Sequence, residues 1–494
     1  MMASLHNALF QLALPEIVLV VAALLVLSID LLALRAQAIR MRFGVAVTVA
    51  TIGCVAAIAR IVMAAHTANV LDGMLVANPL TQLVQVALLV MAIVTLLIAV
   101  DSKFTENVGE FVLIVLLATA GMMFMVASRD ILVIFVALEL LSLSLYILAG
   151  FDKHSPRSAE AALKYFLFGG MSAGFLLYGF SLLYGMSNST KLASIALAVQ
   201  GTQLNPLLII ALVTTVIGFA FKVAAAPLHF WAPDAYEGAP LPSAALIASS
   251  SKVASFFIFY QVMTVGFAGV EGTAWPHGTV GWVPLLALVA VLSMVLGNVA
   301  ALAQSSVRRL LAYSAIGHAG YMLLAIVSHT GQSLSALVYY VITYGLTTLG
   351  AFAVVGVVQE KTGGDKLEDF AGLSRRSPVL AASMFVFMLS LAGIPPLAGF
   401  FGKFYLFVSV LGAGPRPIGL VWMVGLAIAM SAVSLYYYLQ VLKRVFVAAP
   451  AVDAGKIDVP WLRGLVIVLL AAGVVVLGCA PHLLLKWILL AAAQ

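Results

Sequence analysis

The sequence predicts an all-α polytopic membrane protein with about fourteen transmembrane helices. Of its 494 residues, 64% are hydrophobic and 9% are charged, whereas soluble domains contain about half and about a quarter. The mean hydropathy is +1.15, and apolar runs of about 20 residues, the length that crosses a bilayer as a helix, recur along the chain. A soluble protein is therefore excluded, and the alternating segments of a membrane β-barrel are not seen.

The apolar runs place the spans in chain order within a single membrane domain, 1–494. The predicted spans are 17–34, 43–64, 80–100, 110–127, 131–150, 160–184, 206–231, 241–265, 283–303, 310–328, 334–357, 378–411, 418–442 and 462–489. The first three fall in an N-terminal segment, 1–105, and the last in a C-terminal segment, 446–494. The connections leave no room for a folded domain outside the bilayer.

Basic residues are distributed unevenly between the two sides of this predicted bundle. Sixteen of the 25 lysines and arginines lie in loops on one side, and four, namely Arg129, Lys191, Arg416 and Lys486, lie on the other. Cytoplasmic loops are rich in lysine and arginine. The larger set is therefore predicted to be cytoplasmic, with both termini on the outer side. The other five lie inside spans, and they are Arg60, Lys164, Lys222, Lys252 and Lys403.

Three spans carry an ionisable residue near half depth, where a charge is costly and needs a partner, water or a function. These residues are Glu139, Lys252 and His318. Helical spacing places polar neighbours beside each of them. The neighbours are Ser142 and Tyr146 for Glu139, Ser249 and Ser255 for Lys252, and Ser314 and Tyr321 for His318. The alternative is a set of satisfied polar contacts between packed helices, and for His318 it carries equal weight.

Two further lysines lie beside prolines that interrupt their spans. Lys222 precedes Pro227 in the seventh span, and Lys403 follows Pro395 and Pro396 in the twelfth. Proline removes a backbone donor, and hydrocarbon tolerates such breaks only where the backbone lines a polar cavity. Interrupted helices in corresponding halves indicate an ion site. Because the twelfth span comes five positions after the seventh, and an odd offset reverses the direction in the membrane, we predict two inverted five-helix repeats, 106–265 and 283–445.

The sequence offers no redox centre or nucleotide fold. Cys54 and Cys479 lie alone in apolar runs, so the ligand count excludes an iron–sulfur cluster and a cysteine-rich zinc site. The scattered histidines disfavour haem and a metal site. His229, close to the first proline break, is interpreted as a structural or inlet residue, and Asp234 and Glu237 as loop residues at the cytoplasmic mouth.

Five segments, in order, closely resemble the subunit N family of proton-pumping NADH:quinone oxidoreductase, respiratory complex I. They are ALELLSLSLYILAGF (137–151), SAEAALKYFLFGG (158–170), PLHFWAPDAYEGAP (227–240), LLAYSAIGHAGYML (310–323) and LAGIPPLAGFFGKFYLF (391–407). The resemblance covers nearly the whole chain. It implies a subunit of a translocase in the bacterial inner membrane, with other complex I membrane subunits and lipid as partners and no nucleic acid. It also implies that this chain binds no cofactor, because the sites for FMN, iron–sulfur clusters, NADH and quinone, such as ubiquinone, lie in other subunits.

The resemblance also assigns residues to a proton path. By motif these are Glu139 on the fifth span, Lys164 on the sixth, Lys222 on the seventh, Lys252 on the eighth, His318 on the tenth and Lys403 on the twelfth. For Lys164, an interfacial lysine extending towards water is an equal alternative. Burial disfavours the charged form of a lysine and a nearby carboxylate favours it. A change in the Glu139–Lys222 distance would then bind or release a proton, with entry from the cytoplasm and exit outside.

Two related functions remain as alternatives. An Mrp-type cation/proton antiporter subunit and the membrane subunit of an energy-converting hydrogenase would carry nearly the same polar residues. A solute transporter is less favoured, because its interrupted helices would carry a polar mixture rather than lysines. Sodium as the transported ion is not excluded, although lysines favour the proton.

Overall fold

The protein is described by a computed structural model. It describes residues 2–63, 68–70, 74–200, 205–274, 279–412, 420–450 and 455–492, with side chains from Phe10 onward except those of 68–70. Arg416, one of the four basic residues predicted on the outer side, lies outside the described residues.

The first half of the chain contains eleven helices and one short hairpin in the described ranges. The helices are α1 (Met2–Ile29), α2 (Ile39–Met63), α3 (Pro79–Ala99), α4 (Val108–Ala127), α5 (Ile131–Ala149), α6 (Pro156–Ser187), α7 (Leu192–Val199), α8 (Pro206–Lys222), α9 (Trp231–Gly238), α10 (Leu241–Ala248) and α11 (Ser250–Gln261). Single π-helical turns, Asp30–Leu34 and Val262–Gly266, extend α1 and α11. Strands β1 (Ala68–Val70) and β2 (Leu75–Ala77) pair antiparallel, with Asn69 opposite Val76.

The second half is also helical. Its described helices are α12 (Trp282–Leu302), α13 (Val307–Ser328), α14 (Ser333–Thr362), α15 (Leu373–Arg376), α16 (Pro378–Ala392), α17 (Ala398–Leu411), α18 (Val421–Phe446), α19 (Trp461–Cys479) and α20 (His482–Ala492). A short 3-10 helix, Leu367–Phe370, precedes α15.

Local sequence sets where several helices begin. A polar side chain accepts a hydrogen bond from the first turn, which otherwise has free amides. The capping residues are Asn78 for α3, Asp130 for α5, Ser155 for α6, Asn205 for α8 and Ser306 for α13. In three of these helices proline occupies the first position, where its missing N–H costs nothing.

Twelve helices in the described ranges are long and apolar enough to cross a membrane. The all-α polytopic architecture is thereby confirmed. The helices formed by 241–266, 307–328 and 333–362 are almost wholly buried, whereas in those formed by 10–34, 156–187 and 421–446 only about a third of the residues are buried. The core of the bundle therefore lies around α10, α11, α13 and α14.

The two predicted breaks are present. The seventh span stops being helical at Lys222 and resumes as α9 at Trp231, so it is not one helix over 206–231. The twelfth span is divided between Ala392 and Ala398, around Pro395 and Pro396. Freed backbone groups at both breaks need other partners, and these are polar side chains described below.

The eighth span, predicted over 241–265, is present as one apolar segment over Leu241–Gly266, but the break at Ser249 (φ −116°, ψ −84°), which separates α10 from α11, was not predicted. Other details of the prediction were wrong. The last span, predicted over 462–489, ends at Cys479, and α20 follows as a separate helix. Pro481 lies between them and has no N–H to continue the helical ladder. Asp234 and Glu237 lie on α9 rather than in a loop, and α7 was not predicted.

Loops assigned to the same side of the bundle do contact one another. On the predicted cytoplasmic side, Arg40 lies 3.5 Å from Asp101, and Arg463 lies 2.7 Å from Glu360. On the opposite side, the backbone of Asp130 pairs with that of Lys191. The alternation of spans that underlies the charge count is therefore present in the fold.

Candidate functional site

Glu139 and Lys222 line one small cavity between α5, α6 and α8. Its volume is about 10 Å³, and its lining includes Glu139, Ser142, Tyr146, Gly169 and Lys222. Glu139, Ser142 and Tyr146 share a face of α5 because they lie at helical spacing. The predicted grouping of these side chains with Lys222 is therefore seen in the structure.

The direct partner of the Lys222 ammonium is Ser142 rather than Glu139. Lys222 Nζ donates to Ser142 Oγ over 2.8 Å, and Ser142 Oγ donates to the Leu138 carbonyl over 2.6 Å. Glu139 Oε1 is buried and has no hydrogen-bond partner among the described protein atoms. Glu139 and Lys222 thus approach each other without forming an ion pair.

Lys222 is the last residue of α8, and the break that follows it is held by two side chains. Ser293 Oγ of α12 accepts from the Ala226 amide over 2.8 Å. Trp231 Nε1 donates to the Phe221 carbonyl over 3.0 Å. Buried backbone groups that a helix no longer pairs must find such partners. Neither side chain was singled out from the sequence.

Lys252 lies on α11, 2% exposed, and contacts α13 and α14. Its ammonium donates to the Ala315 carbonyl over 2.6 Å and lies 5.9 Å from the ring centroid of Tyr344. The hydroxyls of the two predicted serines make no described contact with the ammonium, although the Lys252 amide donates to the Ser249 carbonyl over 3.0 Å. Ser249 Oγ donates to the Ala245 carbonyl, and Ser255 Oγ has no partner among the described atoms.

His318 is hydrogen-bonded through both ring nitrogens. Nδ1 lies 2.7 Å from the Tyr340 hydroxyl, and Nε2 lies 3.2 Å from the Tyr438 hydroxyl. Tyr438 also contacts Ser314 Oγ. A neutral imidazole has one donor and one acceptor nitrogen. One tyrosine therefore donates to the ring and the other accepts from it, which suits a residue that passes a proton from one nitrogen to the other.

Lys403 binds the end of the helix that precedes the second break. Its ammonium donates to the carbonyls of Leu391 and Ala392 over 3.1 and 3.0 Å and to Ser431 Oγ over 2.8 Å. A helix end leaves its last carbonyls unpaired, and a cation there is favourable. Gly393, at φ +84°, permits the close approach, because a Cβ there would lie 3.2 Å from Nζ.

A continuous series of contacts joins Lys252 to Lys403. Lys252 lies over the ring of Tyr344, whose centroid is 4.9 Å from that of His318. The His318 ring is 5.7 Å from that of Tyr321, edge to face. Tyr321 in turn lies 5.2 Å from the Lys403 ammonium. These five residues form what we call the Lys252–Lys403 line. Within the described residues, no hydrogen bond, ion pair or ring contact extends it to Lys222.

Sequence reasoning missed several aromatic and amide groups around this line. Asn298 Nδ2 donates to the Tyr321 hydroxyl over 3.1 Å, and Tyr437 donates to Asn298 Oδ1 over 3.0 Å. Tyr344, Tyr340 and Tyr438 were also missed. The run of three tyrosines at 436–438, inside an otherwise apolar span, was the available signal.

Lys164 lies away from the line, in a cluster of charges around α9. Its ammonium is 2.7 Å from both Glu160 and Asp234. Arg309 is 2.8 Å from Asp234 and 2.9 Å from Glu237. We call these five residues the α9 ion cluster. Although burial alone would raise it, hydrogen bonds from Lys164 and Arg309 hold the pKa of Asp234 below its usual value.

His229 lies between α8 and α9 and touches no described residue of the line. It is 8% exposed, its ring stacks on Phe230 at 4.6 Å, and its Nδ1 has no partner among the described atoms. Across the described part of the chain, no group of three or more His, Cys, Asp or Glu side chains could hold a metal ion.

Comparison with known proteins adds family information to this geometry. Residues 128–431 match the family model described as "NADH:quinone oxidoreductase/Mrp antiporter, TM". The "NADH-quinone oxidoreductase subunit N 2" of Acidobacterium capsulatum is 53% identical over 98% of this chain and 99% of that protein. The "NADH-quinone oxidoreductase subunit N 1" of Roseiflexus castenholzii is 39% identical over 83% of this chain and 79% of that protein.

Solved structures have the same architecture. A chain of respiratory complex I from Thermus thermophilus matches with a TM-score of 0.78 and 34% identity, over 96% of this chain and 98% of that chain. A chain of an Mrp complex from a Dietzia species matches with a TM-score of 0.81 at 20% identity, over 98% and 97% of the two chains. The second likeness shows the fold alone.

Proposed function

The chain belongs to the NADH:quinone oxidoreductase/Mrp antiporter family, as a subunit N type membrane subunit of NADH:quinone oxidoreductase, and from this premise we propose that it carries protons across the membrane. It is an antiporter-like subunit of a multisubunit translocase. In our proposal the carriers are Glu139, Lys222 and the Lys252–Lys403 line. Electron transfer from NADH to quinone takes place in other subunits, which hold FMN and the iron–sulfur clusters, and this chain binds none of these cofactors.

The observation that carries the proposal is the Lys252–Lys403 line. Four contacts between 4.9 and 5.9 Å connect two buried lysines through His318 and two tyrosines. A buried charge in a bilayer is costly and is retained where ions or protons pass. Each of the two ammonium groups is bound only by neutral oxygens and ring faces, with no carboxylate partner in the described chain. Loss of the proton is therefore not opposed by an ion pair.

The route begins, in this proposal, in the first half of the molecule. Protons enter from the cytoplasmic side near α8 and reach Lys222 beside Glu139. They pass to Lys252, cross to Lys403 through His318, and leave on the outer side. The two broken helices, five spans apart, are the corresponding members of two inverted repeats, 106–265 and 283–445. Neighbouring membrane subunits of the complex, as yet unspecified, lie against the exposed apolar faces.

The test uses the assembled complex in membrane vesicles. Glu139→Gln and Lys222→Ala should each lower proton pumping severalfold per NADH oxidised, because each removes a protonatable group from the route. Arg60→Gln is the matched control, since Arg60 also lies within a span but binds only Gln11 in the described chain, at 2.6 Å. If both variants pump at the wild-type rate, the proposed route is wrong.

A cation/proton exchange function of the Mrp type is the alternative that the shared fold leaves open. The two functions differ in their dependence on sodium. Pumping by wild-type vesicles at the same rate with and without sodium would support the proton route, whereas a strict sodium requirement would support exchange.

A further inference from the structure

A second buried carboxyl group lies in the N-terminal helices, far from the Lys252–Lys403 line in the chain. Glu16 of α1 is 2% exposed. Its Oε1 accepts from Gln85 Nε2 of α3 over 2.7 Å, and the same Nε2 lies 3.4 Å from the Met123 carbonyl of α4. Glu16 is therefore enclosed where α1, α3 and α4 meet.

No cation in the described chain forms an ion pair with Glu16. Among the ionisable groups of the elements packed on α1, Arg60 of α2 binds Gln11, five residues from Glu16. Arg42 of α2 binds Asp30 at the other end of α1, at 2.6 Å, and Glu110 begins α4 near that end. Cys54 of α2 is buried, and neither α3 nor the strands β1 and β2 carry a charged residue. Within the described residues, no cation near Glu16 compensates a negative charge on it.

The hydrogen bonding of Glu16 is also too sparse for a carboxylate. An ionised carboxylate accepts several hydrogen bonds, and Glu16 accepts only one from another residue of the described chain, Gln85. Its Oε2 is buried and has no partner among the described atoms. Thr81, one turn before Gln85 on the same face of α3, has a buried hydroxyl that is also unpartnered. An unpaired charge in such a place is strongly disfavoured, and the group neutralises instead.

We propose that Glu16 is a proton-binding site of the N-terminal helices, occupied at neutral pH, so that the side chain is a neutral carboxylic acid. Oε1 is its carbonyl oxygen, which Gln85 holds by a hydrogen bond, and Oε2 carries the proton. The site is separate from the proposed proton route, and its protonation does not rest on that route.

The position of Glu16 indicates from which side the proton comes. Gln85 lies six residues after the start of α3 at Pro79, and Met123 lies four residues before the end of α4 at Ala127. At about 1.5 Å per residue, both are roughly 6 to 9 Å from those helix ends. These ends lie on the side predicted to be outside, so the site exchanges its proton with the outer surface. This last step depends on the proposed orientation of the chain.

The experiment is infrared spectroscopy of the complex in membranes at pH 7. Subtracting the spectrum of Glu16→Gln from that of the wild type should leave the carbonyl stretching band of one neutral carboxylic acid. Glu368→Gln is the matched control. The side chain of Glu368 is 64% exposed, so its loss should remove carboxylate bands instead. If Glu16→Gln also removes carboxylate bands, Glu16 is ionised and the proposal is overturned.

If the complex with Glu16→Gln does not assemble, a second variant identifies the carboxylic acid band of Glu16 by its shift in frequency. Gln85→Leu removes the hydrogen bond to Oε1, so the carboxylic acid band should remain and move to higher frequency. An unchanged acid band in Gln85→Leu would contradict the assignment. Because these readouts are spectra and not pumping rates, they hold or fail independently of the proposed proton route.

Discussion

At the scale of single residues, the three buried lysines share one kind of environment. Lys222 binds a serine hydroxyl, Lys252 a backbone carbonyl, and Lys403 two carbonyls and a serine hydroxyl. None has a carboxylate partner in the described chain. Lys164 differs, since two carboxylates bind it. A lysine held by neutral oxygens can lose its proton without leaving an unpaired carboxylate, so the three buried lysines fit the proposed role of proton carrier better than Lys164 does.

Two substitutions of Lys403 distinguish the role of its positive charge from its ability to release a proton. Lys403→Arg keeps a cation beside the Leu391 and Ala392 carbonyls, but a guanidinium does not release its proton. We expect this variant to assemble normally and to pump severalfold more slowly per NADH oxidised. Lys403→Met removes the donor as well, leaving the carbonyls unpaired at a cost of about 1 to 3 kcal/mol.

The measurement compares pumping with the amount of assembled complex. Lys403→Arg should lower only the first quantity, and Lys403→Met should lower both. If Lys403→Arg pumps like the wild type, Lys403 serves only to cap α16, and the proposed route does not pass through it.

Residue types and motifs indicated the buried lysines, Glu139 and His318, but not the way they are connected. Periodicity reports which residues share one helix face, as it did for Glu139, Ser142 and Tyr146. It does not report which faces of distant helices meet. Tyr344, Tyr340 and Tyr438 were missed for that reason. Tyrosines in apolar spans resemble ordinary packing residues until the hydroxyls of Tyr340 and Tyr438 are seen on His318 and the ring of Tyr344 is seen beside it.

At the scale of helices, the breaks are coupled to neighbouring elements through polar contacts. The short helix α9, which follows the first break, is held from both sides by the α9 ion cluster. Arg308 of α13 donates to the Tyr236 carbonyl over 2.8 Å and also contacts the Ala239 carbonyl. The prediction of breaks at Pro227 and at Pro395–Pro396 followed from proline chemistry. The break at Ser249 could not be predicted, because serine is compatible with a helix.

Substitution of Asp234 tests whether the α9 ion cluster stabilises the fold. Its carboxylate joins Lys164 to Arg309, so Asp234→Asn should lower the thermal stability of the complex. The loss should be about 0 to 1 kcal/mol, because these side chains are partly exposed. The pKa of Asp234 is lowered. Its stabilising contribution is therefore complete above the ordinary value of about 3.9 and is lost only as pH falls through the lower folded value.

The expected stability difference between Asp234→Asn and the wild type is therefore constant between about pH 5 and pH 8. Thermal unfolding at several pH values in that range measures it. Asp458→Asn is the control, because Asp458 is exposed. This substitution should leave the thermal stability unchanged at every pH in that range. A difference that grows or vanishes within the range would mean that another group titrates with the cluster.

At the scale of the whole molecule, hydropathy and charge were enough to predict an all-helical membrane bundle and the grouping of its loops. They could not predict which helices lie at the centre. Burial in the middle of the bundle depends on tertiary contacts, and the hydropathy of the central helices, α13 and α14, falls within the range of the peripheral ones. The Lys252–Lys403 line runs through these central helices. Hydropathy and charge did not indicate that the two broken helices meet such a core; only the family resemblance placed their lysines on one path with Lys252 and His318.

The orientation of the bundle is the last prediction, and it rests on the distribution of lysine and arginine. Sixteen basic residues in loops on one side against four on the other predict that the first side is cytoplasmic. Lys153 lies in the basic set of loops and Gln332 in the opposite set, and both are exposed. In a chain carrying Cys479→Ser, which removes an exposed thiol, Lys153→Cys should react with an impermeant thiol reagent only from the cytoplasmic side.

Gln332→Cys supplies the matched measurement, because it should react only from the outer side. Inside-out and right-side-out vesicles present the two surfaces separately. Labelling of both cysteines from the same side would mean that the loops do not alternate as the fold requires. Labelling with the sides exchanged would reverse the orientation, and with it the direction proposed for the proton route and the side from which Glu16 takes its proton.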